Sequence, residues 1–194
     1  AQPYVVFDRA AVTNSGATSV EEFLKRSLSQ NTAGVTTSQS PTYLGSTSTV
    51  NLRGLGTGQT LILLDGRRVT PGIAFATSPT QANLNNIPIG AIERIEVLPT
   101  TASGIYGGSA TGGVVNVILR RDYEGVELQT SYGNTFSGDA AVKRASLTAG
   151  FTLEGAKTNV LLGLSASDQN ALQVQDRDFI ARGRNRVYAN NPSY

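Results

Sequence analysis

The last third of the sequence contains three consecutive segments in which apolar residues alternate with small or polar ones. They occupy residues 126–133, 145–151 and 160–167, with a longer connection at 135–143 and a short one at 153–157. Because successive side chains of a β-strand point to opposite faces, this period of two predicts three strands, each with one apolar face. The segments from 126 to 167 are therefore expected to form antiparallel β-structure, whereas the polar, aperiodic residues that follow are expected to form a loop.

Two architectures contain such strands, a soluble antiparallel sandwich and a membrane-spanning β-barrel. The sandwich is the default expectation for alternation alone. The barrel is favoured here because small or polar residues dominate the second face, which suits a wet lumen. In addition, Tyr132 and Phe151 fall near strand ends, where barrels place interfacial aromatic residues. Both architectures remain open at this point.

The first two thirds of the sequence combine one clear helix with several short strands. In "TSVEEFLKRSL", Ser19 and Glu22 form a capping box ahead of an apolar face, which predicts a helix. The Asp65–Gly66 pair predicts a tight turn between two strands. The loop at 30–49 is rich in Ser, Thr, Gly and Gln and is expected to be exposed. Strands are predicted at 4–8, 50–52, 61–64, 92–98 and 114–119.

The stretch "ASGIYGGSATGGVVNVILRR" at 102–121 places five glycines within ten residues, directly before an apolar strand. Such glycines permit close backbone approach or positive φ angles, and a loosely held segment of this kind can open locally. A second glycine run, "RGLGTGQ" at 53–59, precedes a strand rather than a helix, so it lacks the helix N-terminus of a dinucleotide site. The strand at 114–119 is apolar enough to be covered on both faces.

Composition excludes several classes of function. The chain has no cysteine and no histidine, which rules out disulfides and the usual nitrogen and sulfur metal ligands and leaves only a hard, oxygen-bound ion open. The net charge of +2 with dispersed basic residues argues against nucleic acid. Glu93 and Glu96, three apart in a predicted strand, point to opposite faces and make a poor acid and base pair. No catalytic residue, metal ligand or cofactor is predicted, and no stretch approaches the ~20 apolar residues of a membrane-spanning helix.

Several ordered blocks carry a resemblance to a known family. "VNLRGLG", "LILLDGRRV" and "IPIGAIERIEVLPTTASGIYGGSATGGVVNVILR", over about residues 50–120, closely resemble the plug domain of TonB-dependent outer-membrane receptors. The segment "YVVFDRAAVTNSGATSVEEFLKRSL" is similar to the start of that plug, and residues from 125 onward are similar to its first barrel strands. The resemblance implies an α+β plug domain with a small mixed sheet, followed by antiparallel strands of a transmembrane β-barrel of ~22 strands.

The resemblance also implies a function, an active transporter in the outer membrane of a Gram-negative bacterium, and no enzyme activity. The periplasmic protein TonB, with its inner-membrane energising complex, is expected to pull on the receptor from the periplasm so that the plug moves and a bound nutrient passes. The implied ligands are small molecules, namely iron chelates or cobalamin, or oligosaccharides. Further implied partners are outer-membrane lipid and the remaining barrel strands, supplied by the same gene product or by a second chain.

Site residues follow from the same resemblance. Arg53 of "LRG" matches a plug arginine that pairs with barrel carboxylates in relatives and is expected to act as a plug–barrel lock. Pro99, Thr100 and Thr101 stand where many relatives have Arg-Gly-Pro, so a second lock arginine is missing. No separate TonB box is recognisable, and it is expected upstream. The loops at 54–59 and 70–82 resemble the plug apices that touch substrate, with Leu55, Thr57, Gln59, Ile73, Phe75 and Thr77 as candidate contacts.

The expected domain organisation is a plug at 1–122, three barrel strands at 123–168 and an extracellular loop at 169–194. Three strands cannot close a barrel, and their open edges would be unsatisfied in lipid. The remaining strands must therefore come from elsewhere. An alternative from another class is a soluble β-rich binding or adhesion module that shares only the alternation.

Overall fold

The computed structural model describes residues 4–32, 48–69, 81–136, 138, 141–153, 158–170 and 178–191. The chain forms two compact units. The first contains Ala1–Leu128 and Ser146–Leu164, and the second contains Gln129–Ala145 and Ser165–Tyr194. The five-stranded sheet belongs to the first unit.

A five-stranded mixed sheet forms the centre of the first unit. Its strands are β1 (Val5–Asp8), β2 (Thr60–Leu64), β3 (Arg67–Arg68), β4 (Ile92–Leu98) and β5 (Gly113–Leu119), in the order β1-β4-β5-β2-β3. Among the strands that the structure describes, only β2 and β5 pair in parallel, with Ile62 opposite Val115. The strands β6 (Gly125–Gly133), β7 (Val142–Leu153) and β8 (Thr158–Gln169) form a separate sheet in that order. The predicted fold class, a small mixed sheet with helices followed by antiparallel strands, is confirmed.

Two helices precede the second strand of the sheet, α1 (Arg9–Asn14) and α2 (Val20–Ser27). Helix α2 begins as predicted, since Ser19 Oγ accepts from the backbone N–H of Glu22 at 3.2 Å. The Glu22 carboxylate accepts from the N–H of Thr18 at 2.9 Å, one residue before the usual capping-box donor. The short helix α1 was not predicted; Asp8 caps it by accepting from Ala11 N–H at 2.8 Å. None of the helices in the described part of the chain is long and apolar enough to cross a membrane.

The main core lies between helix α2 and one face of the sheet. Phe23 of α2 meets Phe7 of β1 edge to face, with ring centroids 5.1 Å apart. Val115 and Val117 of β5 are fully buried in the same cluster. On the other face Val114 packs in a smaller cluster with Leu61 and Leu63 of β2 and with two alanines, Ala102 and Ala110. Strand β5 is therefore covered on both faces, as its apolar run predicted.

The predicted turn between β2 and β3 is confirmed. Asp65 and Gly66 both have positive φ angles, 49° and 77°, as a two-residue turn of type I′ requires. The amide of Gly66 donates to the side-chain oxygen of Asn116 at 2.9 Å, which ties the turn to β5.

Two predictions of local structure were wrong. The strand expected at 50–52 is a single bridge between Leu52 and Asn31, because side chains take the backbone groups that a strand would use. Val50 N–H donates to Gln81 Oε1 at 2.7 Å, and Leu52 N–H donates to Thr60 Oγ1 at 3.0 Å. After α2 come the helices α3 (Ser103–Tyr106) and α4 (Asp178–Asn190), and α4 lies in the predicted loop at 169–194. Helix α4 has no buried residue, and residues 182–186 contain no large apolar side chain, so the apolar period that predicts a helix is interrupted in its sequence.

The alternation in β7 and β8 is confirmed where the strands belong to the first unit. Thr148 and Gly150 of β7 are buried, whereas Leu147 and Phe151 are exposed. In β8, Leu162 and Leu164 are exposed and Gly163 between them is partly covered. The second unit contains the other ends of the three strands together with α4, and there Asn170 N–H donates to the carbonyl of Ala141 at 2.9 Å.

Candidate functional site

The two ends of the five-stranded sheet contain different candidate features. Since β2 and β5 are parallel and β4 is antiparallel to β5, the starts of β2 and β5 meet the end of β4 at one edge. The predicted ligand loop at 54–59 leads into β2 at this end, which we call the loop end. The turn at 65–66 and the start of β4 lie at the opposite end, which we call the turn end.

Three of the six predicted ligand contacts lie together at the loop end. Leu55 is 45% exposed, and Thr57 and Gln59 lie in the following 3₁₀ turn, half-buried. The side-chain amide of Gln81 holds this turn, since its Nε2 donates to the carbonyls of Thr57 and Thr60 at 3.2 and 3.0 Å. The other three predicted contacts, Ile73, Phe75 and Thr77, lie outside the described residues.

Sequence reasoning missed an apolar residue at the same end. Ile105 in the short helix α3 (Ser103–Tyr106) is 81% exposed. A neighbouring hydrogen bond from Gly112 N–H to the carbonyl of Gln59, 2.7 Å long, joins this segment to the predicted ligand loop. The signal in the sequence was an isoleucine beside glycines in "SGIYGG", where no apolar period explains its presence.

The glycines at the end of the glycine-rich stretch are closely packed, whereas two glycines earlier in the stretch have open space around them. A Cβ atom on Gly113, whose φ is 140°, would lie 2.5 Å from the Leu98 carbonyl oxygen. One on Gly112 would lie 2.9 Å from the carbonyl oxygen of Gln59. By contrast, a Cβ on Gly104 or Gly108 would meet nothing within 4 Å. The last two glycines are thus required for three backbone segments to meet where β5 begins.

Arg53 is exposed and adopts a φ of 60°, while its backbone N–H donates to the Gln30 carbonyl at 2.9 Å. Among the residues that the structure describes, no carboxylate pairs with its guanidinium. Its role as a plug–barrel lock stays a prediction.

The turn end contains an ion-pair cluster that was not predicted, which we call the arginine clasp (Arg9, Arg120 and Glu127). Arg9, the first residue of α1, donates from Nη2 to both carboxylate oxygens of Glu127 in β6, at 2.9 and 2.8 Å. Arg120, directly after β5, donates from Nη1 to Glu127 Oε2 at 2.9 Å. Its guanidinium also lies over the ring of Tyr123, 3.4 Å from the centroid.

The sequence contained a signal for this clasp. Glu127 is the one charged residue in the small or polar face of the alternating segment 126–133. A lone carboxylate on the face that turns toward protein needs a cationic partner, because burying it unpaired would cost several kcal/mol.

A second polar cluster lies on the sheet face opposite α2. Glu96 accepts from Arg94 Nε at 2.8 Å and from Asn116 Nδ2 at 2.9 Å. Burial alone would raise the pKa of Glu96, but hydrogen bonds from Arg94, Asn116 and Tyr4 outweigh it and lower that pKa below its ordinary value. The pKa of Tyr4 is raised by burial and by the Glu96 charge. Within the described ranges, no group of three acidic side chains is arranged to hold a metal ion.

A family model described as TonB-dependent Receptor Plug Domain matches residues 1–114. The solved structure of the siderophore receptor PirA from Pseudomonas aeruginosa is 24% identical, with a TM-score of 0.60 over 88% of this chain and 29% of that one. The siderophore receptor PirA from Acinetobacter baumannii is 21% identical, with a TM-score of 0.65 over 91% of this chain and 26% of that one.

The ferric-catecholate import receptor Fiu from E. coli K12, in an open form, is 20% identical, with a TM-score of 0.54 over 86% of this chain and 21% of that one. The chain thus spans less than a third of the length of each of these solved receptors. At these identities the likeness shows the fold.

Proposed function

Because this chain belongs to the family of the TonB-dependent receptor plug domain, we propose that it forms the plug and first barrel strands of an outer-membrane active transporter. In this proposal residues 1–122 are the plug, 123–168 are three barrel strands and 169–194 are an extracellular segment. The other barrel strands are supplied by further residues of the same gene product or by a second chain.

One observation carries the proposal, the two-sidedness of the strands that follow the plug. Glu127, Thr148 and Gly163 lie against residues of the five-stranded sheet unit, whereas Leu147 and Leu164 on the other face are exposed. A strand with a polar face on a plug and an apolar face left open suits a barrel wall between a filled lumen and lipid. Outer-membrane lipid is then the partner of the exposed face.

The loop end of the sheet, with the candidate contacts at 54–59 and with Ile105 added, is the proposed ligand surface. Ile73, Phe75 and Thr77 are proposed as further ligand contacts from the sequence alone. A ligand with apolar or aromatic surface suits Leu55 and Ile105, which are exposed at this end. An iron chelate is the first class to test, because the solved receptors of like fold are named for siderophores and ferric catecholates. TonB and its energising complex, acting from the periplasm, are the proposed source of work.

Uptake in cells tests the function. The complete receptor is expressed in Gram-negative cells that lack their own iron-chelate receptors, and accumulation of a radiolabelled ferric catecholate is followed with and without TonB. We expect accumulation only when both the receptor and TonB are present. Equal accumulation in the two strains would contradict active transport, whereas TonB-dependent uptake of cobalamin or an oligosaccharide alone would correct the ligand class.

Leu55 provides a test of the ligand surface with a matched control. Leu55→Ala removes an exposed apolar side chain at the loop end, and we expect the ligand Kd to rise by about five- to tenfold. Val6→Ala in β1 is the control, because Val6 is exposed to the same degree, 47% against 45%, but belongs to the edge strand. Equal Kd values for the two variants would remove Leu55 from the ligand surface.

A further inference from the structure

The structure singles out one short segment of the plug, residues 88–91, which we call the seat turn. It contains a 3₁₀ turn at Ile89–Ala91 and leads into β4. Both arginines of the clasp hold its backbone. The carbonyl of Gly90 accepts from Arg9 Nη1 at 3.1 Å and from Arg120 Nη1 at 3.3 Å, and Ile92 just beyond it accepts from Arg9 Nη1 at 2.9 Å.

All three strands after the plug converge on this turn. Strand β6 reaches it through Glu127, which the two arginines share. Thr148 of β7 is 2% exposed and lies so close to Gly90 that a Cβ there would collide with the threonine hydroxyl oxygen. Gly163 of β8 faces Pro88, whose Cγ would lie 2.8 Å from a Cβ on that glycine. Ion pairing and close packing therefore act at the same place.

The clasp also joins the two ends of the plug sequence to one strand. Arg9 directly follows β1, and Arg120 directly follows β5. Their side chains are 24% and 12% exposed, so both charges are partly removed from water and depend on Glu127 for compensation. Nη2 of Arg9 contacts both carboxylate oxygens and Nη1 of Arg120 contacts one of them, so the carboxylate is held from two sides by charge-assisted hydrogen bonds.

From this convergence we propose that the seat turn is the fixed attachment of the plug to the barrel wall and stays in place during transport. The inference rests on the proposed function. Rearrangement of the plug then occurs away from residues 88–91, and Glu127 acts as a positioning residue that keeps the seat turn on the wall.

A disulfide between the seat turn and the wall tests the proposal. A Cβ on Gly90 would lie 3.5 Å from Thr148 Cβ, within the range of natural disulfides, and the chain has no cysteine of its own. The double variant Gly90→Cys with Thr148→Cys is made in the complete receptor, with each single variant as a control. Uptake of the radiolabelled ferric catecholate is compared in oxidised and reduced cells.

We expect the cross-link to form in most molecules and the oxidised receptor to transport within about twofold of the reduced one. A loss of about tenfold or more on oxidation, restored by reduction and absent from the single variants, would show that the seat turn must move. Failure of the cross-link to form in an assembled receptor would refute the seating itself. Absence of uptake by the parent receptor would instead refute the proposed function. The yield of the cross-link between positions 90 and 148 would still show whether the seat turn lies against the wall.

Glu127→Gln provides a second measurement that does not depend on cysteine. The variant keeps the shape of the side chain but leaves two partly buried arginines without their shared negative charge. We expect a loosened plug, seen as increased entry of a bulky antibiotic into cells that express the complete receptor. Gln129→Ala, at the next position on the same alternating face, is expected to leave entry unchanged. Equal entry of the antibiotic with Glu127→Gln and with the parent would show that Glu127 does not keep the seat turn on the wall.

Discussion

Arg9 and Glu127 are 118 residues apart in the sequence, yet one guanidinium nitrogen donates to both oxygens of the carboxylate, at 2.9 and 2.8 Å. The contact joins the first helix of the plug to the first strand that follows it. Since Arg120 shares the same carboxylate, the plug is bound to this strand through both ends of its sequence. The arginine clasp thus lies at the turn end of the sheet, opposite the end at which the loop 54–59 leads into β2.

Glu21 of α2 is expected to be essential for plug stability. It is fully buried and accepts from Thr49 N–H at 3.2 Å and from Asn85 Nδ2 at 3.0 Å, and it pairs with Lys25 at 3.1 Å. Glu21→Ala leaves these groups without their acceptor, and we expect a loss of about 3 to 5 kcal/mol. Hydrogen exchange of the α2 amides in the complete receptor measures it.

Glu124, an exposed glutamate, supplies the control for this substitution. Glu124→Ala is expected to change the free energy of opening by less than about 0.5 kcal/mol. Equal protection of the α2 amides in both variants would show that Glu21 is not a structural link.

The glycine-rich stretch yields a paired prediction. Gly113→Ala forces a Cβ against the Leu98 carbonyl at a φ of 140°, and backbone cannot move aside as a flexible side chain does. We expect a loss above about 3 kcal/mol, seen as protease sensitivity of the plug. Gly104→Ala, in open space in the same stretch, is expected to be neutral. Similar protease sensitivity of the two variants would mean that glycine content alone, and not position, matters.

The stability of the plug is expected to depend on pH through Glu96. Its pKa is lowered in the folded state, so its hydrogen bonds stabilise the plug above the ordinary carboxyl pKa of about 4.3. That contribution is lost as the pH falls through the lowered folded value. Glu96→Gln is therefore expected to cost about 1 to 2 kcal/mol at pH ~7 and progressively less below pH ~4, measured by hydrogen exchange of β4. A difference between Glu96→Gln and the parent that stays constant over this pH range would contradict the assignment.

Arg53 is predicted to pair with barrel carboxylates in the complete receptor. Arg53→Ala is then expected to loosen the plug and raise the conductance of the receptor in planar bilayers. Arg67→Ala is the control, because Arg67 is also exposed but lies in the hairpin strand β3. Unchanged conductance in both variants would mean that Arg53 is a solvated surface arginine.

Elements decided by local chemistry were predictable from the sequence. Asp65 and Gly66 tolerate the positive φ angles of the hairpin turn, and the strand expected at 92–98 is found as β4, Ile92–Leu98. The alternation of β7 was also predictable from the sequence. Leu147 and Thr148 are adjacent, so they lie on opposite faces of the strand whatever packs against each face.

Features that depend on distant residues were not predictable. The expected strand at 50–52 gave way to side-chain acceptors from Gln81 and Thr60, which no local pattern announces. The need for glycine at 113 arises from Leu98, brought there by the pairing of β4 with β5, and from Leu52, which lies outside the strands. The arginine clasp joins residues that are far apart in the sequence, and the fold alone brings them together. The lone carboxylate of Glu127 on its strand was therefore the only signal of the clasp in the local sequence.

Lipid exposure of the strands after the plug tests the whole account most directly. Single cysteines replace Leu147 or Leu164 in the complete receptor, with Ser146→Cys on the opposite face as control, and membranes are treated with a lipid-phase and a water-soluble reagent. The account predicts that the two leucine positions react from the lipid phase and that position 146 does not. Reaction of the leucine positions only from water would contradict a barrel wall and favour a soluble β-rich binding module.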